Sequence, residues 1–334
     1  MADAFLIGAA DDGATVAAAL RRQLPDASWA QVRKLCTTGK VFVDDERALD
    51  PARRVRAGQR VALNRAAPRP DVTPAGFRFV FEDAHLIVVD KPSGVSSVPY
   101  DRKETGTAMD LIRAVWRRKG KRATATPLYV VHRIDKDTSG LLCFAKTRLA
   151  ERGLHAIFQR HTAARAYLAV AEGEVGAMRI ESNIAADRGD GIRGSTRHAD
   201  QGQHAVTFVE PIRRLRKATL CRVRLETGRT HQIRVHLSER GHPIVGETVY
   251  IRDLLRAEKT PLLQGDPKRV PSPRDGLRAA KPHYAHANAP RLMLHAALLG
   301  FKHPVTGAKL EWNATPPEDF MAVYETLGGA RGDV

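Results

Sequence analysis

The amino-acid sequence predicts an α+β protein: a mixed, largely antiparallel β-sheet with flanking helices, preceded by a small α/β domain. Three observations carry this reading. Residues 1–64 show helical periodicity followed by two short strand-like runs. A proline-rich stretch then breaks the pattern. From Phe77 onward strand-like runs outnumber helical ones, without the regular strand–helix alternation of a parallel sheet.

In the N-terminal part, Val16 to Leu24 is apolar at helical spacing and ends at Pro25. Ser28 is placed to cap a second helix carrying Trp29, Val32 and Leu35, which stops at Gly39. Lys40–Asp44 and Gln59–Leu63 read as the strands of a hairpin. Arg33 and Lys34 lie beside the apolar face of the second helix, with Lys40 just beyond. The segment RAAPRPDVTPAG, residues 65–76, holds three prolines and reads as a linker. The expected organisation is therefore 1–64, a linker at 65–76, and a larger domain over 77–325 with a basic insertion at 251–290.

Beyond the linker, FRFVFED and HLIVVDKP are two β-like runs around the acidic turn at Glu82–Asp83. Further strands are expected at Leu128–Val131, Leu141–Ala145, Tyr167–Ala171, His204–Glu210 and Thr219–Glu226. Helical periodicity fits Ala108–Arg117, Arg148–Gln159 and Thr230–Glu239. No internal repeat is visible.

Composition narrows the function. Hydrophobic residues make up 43% and charged residues 27% of the 334, as in ordinary globular proteins. No apolar run approaches the roughly 20 residues that span a bilayer. The start, MADAFLIGAADDGA, lacks the basic flank of a secretory signal, so a cytoplasmic location is expected. Cys36, Cys143 and Cys221 are far apart and show no metal-ligand spacing, which fits reduced structural thiols. The formal net charge of +17 is of the kind that attracts a polyanion, nucleic acid above all, although compositional drift in an Arg- and Ala-rich chain gives the same sum. The run RRKGKR at 117–122 and the basic segment at 251–290 would suit the flanks of an RNA groove, or plain solvated loops.

Two segments concentrate chemistry. In HRIDKDTSGLLCFAKT, from His132, the apolar run Leu128–Ile134 reads as a strand and Asp137–Gly140 as a turn. Asp135 is then expected where a buried strand meets its turn, at a cleft edge, with simple turn capping an equal alternative. In ETGRTHQIRVHLSERGHPIVG, from Glu226, the residues Arg229, Thr230, His231, Gln232, Arg234 and His236 crowd behind a strand. So many polar groups need partners, and a carboxylate across a cleft is one. An exposed basic helix is the alternative.

HRIDKDTSG and TGRTHQIRVHL, with KPSG at Lys91–Gly94, RLMLHAALLGFKHPVTG from Arg291 and PPEDF from Pro316, closely resemble the RluA family of pseudouridine synthases. The resemblance runs in order from Phe77 to Phe320. SWAQVRKLCTTGKVFVDD and AGQRVAL resemble the S-four RNA-binding domain. The resemblance implies the pseudouridine synthase fold and an enzyme that isomerises uridines in structured RNA. It points to large-subunit ribosomal RNA, the target typical of members with such an upstream domain. It implies Asp135 as the residue acting at the ribose, Tyr167 as the ring stacking on the base, and Arg234 as the partner of Asp135. It also implies RNA contacts from Arg133, which fills the vacated stack, and from His132, Arg229, Thr230, His231 and Gln232. The N-terminal domain adds Arg33, Lys34 and Lys40. Neither a metal nor a cofactor is implied, RNA is the expected partner, and a monomer is expected.

This sequence departs from the family pattern in four places. Ile134 replaces Leu, Arg165 stands two before Tyr167 where Lys is commoner, and Gly246-Glu247 and Tyr250-Ile251 replace Gly-Asp and Tyr-Gly. Two other readings remain open. A nucleosidase would use Asp135 and Asp137 as paired carboxylates on one side of an extended chain. A non-catalytic RNA-binding or ribosome-assembly factor would use the basic surface alone.

Overall fold

The computed structural model describes residues 3–67, 74–101, 104–119, 126–196, 201–251 and 289–333. The basic insertion expected at 251–290 and half of the 117–122 run lie outside the described residues. The chain forms two compact units, Met1–Val72 and Thr73–Val334.

The first unit contains β1 (Asp3–Leu6), α1 (Val16–Gln23), α2 (Trp29–Thr37), β2 (Val41–Val43), β3 (Glu46–Arg47) and β4 (Arg60–Leu63). Ser28 starts α2 with a reciprocal cap: its hydroxyl accepts from Gln31 N, and the Gln31 side chain accepts from Ser28 N. Val16, Leu20, Val32, Cys36, Val41, Val43 and Val61 close a small core of their own. The expected hairpin is real but incomplete. Strands β2 and β4 pair antiparallel, β1 adds on the far side of β4, and the sheet runs β1-β4-β2-β3. The sequence reading missed β1 because four residues show too little alternation to register.

The second unit follows with β5 (Arg78–Glu82), β6 (Leu86–Lys91), α3 (Ala108–Arg118), β7 (Tyr129–Val130), β8 (Ser139–Ala145), α4 (Arg148–Gln159), β9 (Ala164–Glu172), β10 (Met178–Ala185), β11 (Gly194–Thr196), β12 (Gln203–Arg214), β13 (Ala218–Leu225), α5 (Gln232–Glu239), β14 (Leu294–Lys302), β15 (Lys309–Asn313) and α6 (Glu318–Thr326). Among the described residues its strands form one mixed sheet in the order β11-β10-β12-β13-β9-β14-β8-β6-β5, with β7 on β8 and β15 on β14. Every pairing is antiparallel except β14 with β8. The α+β class is thus correct.

Strands β6 and β8 read as unbroken apolar runs because both faces are covered. Ile87, Val89, Leu142 and Phe144 pack toward Leu111, Ile112 and Trp116 of α3. Leu86, Val88, Leu141 and Cys143 pack toward Ala150 and Leu154 of α4 on the other side. Four strands escape the sequence pattern, among them β11, which is only three residues long. Strand β10 (MRIESNIA) is half polar, β15 is largely exposed, and the LHAALLGFK run of β14 carries no period that separates strand from helix.

One expectation needs correction at the site itself. Leu128–Ile134 is not a continuous strand, since only Tyr129 and Val130 pair with β8. One step on, Cys143 N donates to His132 Nε2 at 2.9 Å, so a side chain takes an amide of β8 next to where the ladder stops. The chain then leaves the sheet, and Asp135 sits in a loop rather than at a strand end.

The parallel β8–β14 pair depends on one glycine. Gly140, opposite Ala296, has φ of +111°, and a Cβ there would lie 2.3 Å from the Ala296 carbonyl oxygen. Gly140→Ala is expected to lower the unfolding free energy by about 3 kcal/mol, combining overpacking with a strained backbone. Urea denaturation measures this; a loss below about 0.5 kcal/mol would show that the two strands can move apart freely.

Candidate active site

The loop carrying Asp135 is fixed from below by a buried lysine. Lys91, fully buried at the end of β6, donates from Nζ to the carbonyls of Pro92 (3.0 Å), Val95 (2.6 Å) and Lys136 (3.0 Å). Burial pulls its ammonium down to about 7, against the charges of Asp135 and Asp137 nearby. Around it, Gly94 N donates to the Lys136 carbonyl at 2.9 Å, and the Ser93 hydroxyl to that of Asp137 at 2.8 Å. Ser97 Oγ donates to the Ile134 carbonyl at 2.7 Å and lies 3.2 Å from Ile134 N. The backbone from Ile134 to Asp137 is thereby pinned. The Asp135 carboxylate is left with no ion pair and no side-chain hydrogen bond among the described residues.

Opposite stands Tyr167 on β9, in register with Val223 of β13 and Ala296 of β14. Its ring is buried and its hydroxyl has no hydrogen-bond partner among the described residues. Burial pushes the phenol up; Arg165 opposes this and Asp135 adds to it. A cavity of about 380 Å³ lies between, lined by Arg133, Asp135, Arg165, Tyr167, Thr230 and His231 among others. His231 heads α5 in the left-handed conformation, φ 59°, and its Nδ1 shares a 2.6 Å hydrogen bond with the Tyr250 hydroxyl. Its imidazole is held below its ordinary value by burial, with Asp135 pulling the other way.

Arg234 does not pair directly with Asp135. Its Nε and Nη2 donate to the two carboxylate oxygens of Glu247 at 2.7 and 2.9 Å, in a bidentate pair that is almost fully buried. Glu247 also accepts from Val249 N at 2.8 Å, and the Tyr250 ring lies 5.2 Å from the guanidinium. Asp135 is close enough for its charge to act on Arg234, but the direct partner is Glu247. Burial alone would raise the Glu247 carboxyl; the Arg234 hydrogen bonds and charge outweigh it and hold the carboxyl below its ordinary value. The position flagged only as a departure from Gly-Asp thus supplies the carboxylate that a buried arginine requires.

The other expected RNA-contact residues divide. Arg133 is exposed, with no ion pair among the described residues, and Thr230 lines the cavity. Arg229 is partly exposed and donates from Nε to the His204 carbonyl. Gln232 is corrected to an internal bracket. Its amide oxygen accepts from the Thr227 hydroxyl and Arg229 N, and its amide nitrogen donates to the Val206 carbonyl and the Thr207 hydroxyl. His132 is likewise corrected to an anchor, tied to Cys143 N, stacked on Phe158 at 4.5 Å, and depressed to about 3 by burial. In the first unit, Arg33 and Lys34 are exposed on α2, while the Lys40 ammonium is held by the Ala67 carbonyl. The nucleosidase geometry is absent: Thr138 N donates to the Asp135 carbonyl, so the chain turns there and Asp137 faces solvent.

The chain as a whole matches known proteins. A family model described as RNA pseudouridylate synthase matches residues 85–239, and one described as S4 domain matches 16–61. A ribosomal large subunit pseudouridine synthase D of Zymomonas mobilis is 33% identical over 287 residues, covering 83% of this chain and 82% of that one. The protein of the same name from Pseudomonas aeruginosa is 35% identical over 252 residues, covering 74% and 71%. The chain belongs to the RNA pseudouridine synthase family. Solved structures agree on the fold of this pseudouridine synthase. Human RNA pseudouridylate synthase domain containing 4 superposes with a TM-score of 0.52 at 20% identity, covering 75% of this chain and 92% of that one. Human RNA pseudouridylate synthase domain containing 1 gives 0.53 at 21%, covering 75% and 86%.

Arg234→Ala leaves the synthase with a buried, unpaired Glu247. Urea unfolding is expected to show a loss of about 3–5 kcal/mol. Because the folded carboxyl binds its proton less readily than the unfolded one, this stabilisation is complete above the ordinary carboxylate range and is lost as the pH falls through the lowered folded value. The unfolding free energy of the wild type should therefore fall more steeply than that of Glu247→Gln between about pH 5 and about pH 3; parallel curves would contradict the pairing.

Proposed function

We propose that this pseudouridine synthase acts on large-subunit ribosomal RNA, with Asp135 reacting at the ribose and Tyr167 stacking on the uracil. The observation that carries the reading is the Asp135 carboxylate, held on a rigid backbone and left unbonded in the cleft. The names of the relatives from Zymomonas and Pseudomonas supply the class of RNA. The net charge of +17 suits a phosphate-rich substrate. A purely RNA-binding role would leave that unbonded carboxylate unexplained. The reading includes a monomeric cytoplasmic enzyme. Among the described residues no helix is long and apolar enough to cross a membrane.

The target uridine must leave its stack before its sugar can be reached, at a cost of a few kcal/mol. Arg133, planar, exposed and uncommitted at the rim, fills the gap and meets a phosphate. Tyr167 receives the uracil on its ring. Asp135 then either attacks C1′ or removes the proton from C2′, and in both cases the C1′–N1 bond breaks. The base turns and C5 bonds to C1′. Tyr167, whose hydroxyl has no partner among the described residues, relays the proton that C5 must lose, passing its own phenolic proton to water as it takes that one, while N1 gains a proton from solvent. Nothing is oxidised and no group enters or leaves, so the rearrangement calls for no cofactor. Arg234, oriented by Glu247, acts on the Asp135 carboxylate through its charge rather than by contact.

Pseudouridine mapping of ribosomal RNA from a strain lacking the gene should show one or more missing sites, restored by the wild-type gene and not by Asp135→Asn. The purified Asp135→Asn protein should bind the same RNA with unchanged affinity. Substantial conversion by that variant would remove Asp135 from the mechanism.

The first unit is read as an RNA clamp through Arg33 and Lys34. Deletion of residues 1–72 should leave conversion of short RNA measurable while reducing the slope of log affinity against log salt, since fewer phosphates are neutralised. Equal slopes over several salt concentrations would show that this unit does not touch RNA.

A further inference from the structure

Arg165 precedes Tyr167 by two positions on β9, so both side chains leave the strand on the same side and both line the cavity. Among the described residues its guanidinium makes a single hydrogen bond, Nη2 to the Glu226 carbonyl at 3.3 Å, and its Nε is buried without a partner. The Phe158 ring lies 5.6 Å from the charge and is itself stacked on His132. On another side is Gly228, where a Cβ would fall 2.9 Å from Nη1, so any larger residue would crowd the guanidinium. A donor buried without an acceptor is unfavourable. This one is supported by an aromatic platform, given room by a glycine, and set next to the ring that receives the base. A ligand that brings an acceptor oxygen to this point would complete it.

The proposed reaction makes such an acceptor. When C1′–N1 breaks, both electrons of the bond leave with the uracil, whether Asp135 has attacked C1′ or has taken the C2′ proton. Until C5 attaches, the base is an anion whose charge is shared between N1 and the carbonyl oxygens. We infer that Arg165 is a catalytic residue that donates to a carbonyl oxygen of the detached uracil and stabilises this anion. Closure restores the balance. C5 bonds to C1′ and later loses its proton, and N1 ends protonated. Asp135 is released from C1′, or returns its proton to C2′. A fixed cation aimed at charge that develops only in the transition state accelerates that step without tightening ground-state binding.

The inference rests on the functional reading above and is tested separately from it. Single-turnover rates are measured with enzyme in excess, on a transcript of the ribosomal RNA segment that the wild type converts. Arg165→Met is expected to be slowed about 100-fold, and Arg165→Lys, which keeps the charge, by less than about tenfold, with RNA affinity changed by less than about threefold in either. The same RNA is then made with 5-fluorouridine at the target. Fluorine withdraws electrons and makes the base a better leaving anion, so the loss in Arg165→Met should shrink to about tenfold or less. Disappearance of 5-fluorouridine from nuclease digests is the readout, since it requires cleavage of C1′–N1 without return through N1 but not loss of the substituent on C5. Arg165→Gln replaces Arg165→Met if circular dichroism shows the latter unfolded. Equal losses on the two RNAs overturn the inference. So does a loss lying wholly in affinity with a reduced salt slope, which would make Arg165 a phosphate contact. A wild-type chain that converts no uridine overturns the functional reading and this inference together.

Discussion

The site depends on the Lys91 ammonium. A charge buried at the end of β6 would be costly on its own; here it is surrounded by three carbonyl oxygens, one of them from the loop that carries Asp135. The KPSG segment and the HRID segment are thereby bound into one rigid body, with Ser93, Gly94 and Ser97 adding further bonds. For the role proposed for Asp135, the carboxylate must be kept from other partners, yet cannot be left to wander. Holding the backbone and leaving the side chain unbonded satisfies both conditions. The lysine does by scaffolding what a direct hydrogen bond to the carboxylate would do at the expense of its reactivity.

The other wall of the cleft is held by different means. Arg234, Glu247, Tyr250 and His231 form a connected set of charge pair, ring contact and hydrogen bond around the start of α5. Gln232 secures the same helix end to β12 and to the loop after β13. Since Arg234 has its own counter-ion, its charge reaches Asp135 without neutralising it by contact. The two walls meet over β9, whose alternation sends Arg165 and Tyr167 into the cavity and leaves Ala166 and Leu168 to the opposite face of the sheet.

Much of this was legible in the sequence. Periodicity and capping residues located α1 to α5, because each has an apolar face three or four residues apart and four of them open on a polar cap or a turn. The family motifs pointed to Asp135, Tyr167 and Arg234, and all three lie at or beside one cavity. The partners were not legible. Glu247 is thirteen positions from Arg234, across a turn, and nothing in local pattern says which carboxylate a buried arginine will choose. Gln232 and His132 looked like surface donors, since a polar residue in a motif carries no mark of whether its hydrogen bonds close inward. The run at Leu128–Ile134 looked like a strand because apolar residues also line irregular buried segments, and the amide that ends the pairing is taken by a side chain.

The position of β14 has a consequence for how the molecule comes into being. This strand lies between β8, which follows the Asp135 loop, and β9, which carries Tyr167, yet it is made long after both. A nascent chain that has reached α5 already contains Asp135, Tyr167 and Arg234, but β8 and β9 each still have an unfilled edge. The central pairings of the sheet are among its most distant in sequence, the kind that close last and slowly. A polypeptide cut short before Leu294 therefore carries Asp135, Tyr167 and Arg234 but lacks the strand that joins the two sides of their cleft, and the site is completed only when β14 slides into the middle of the sheet.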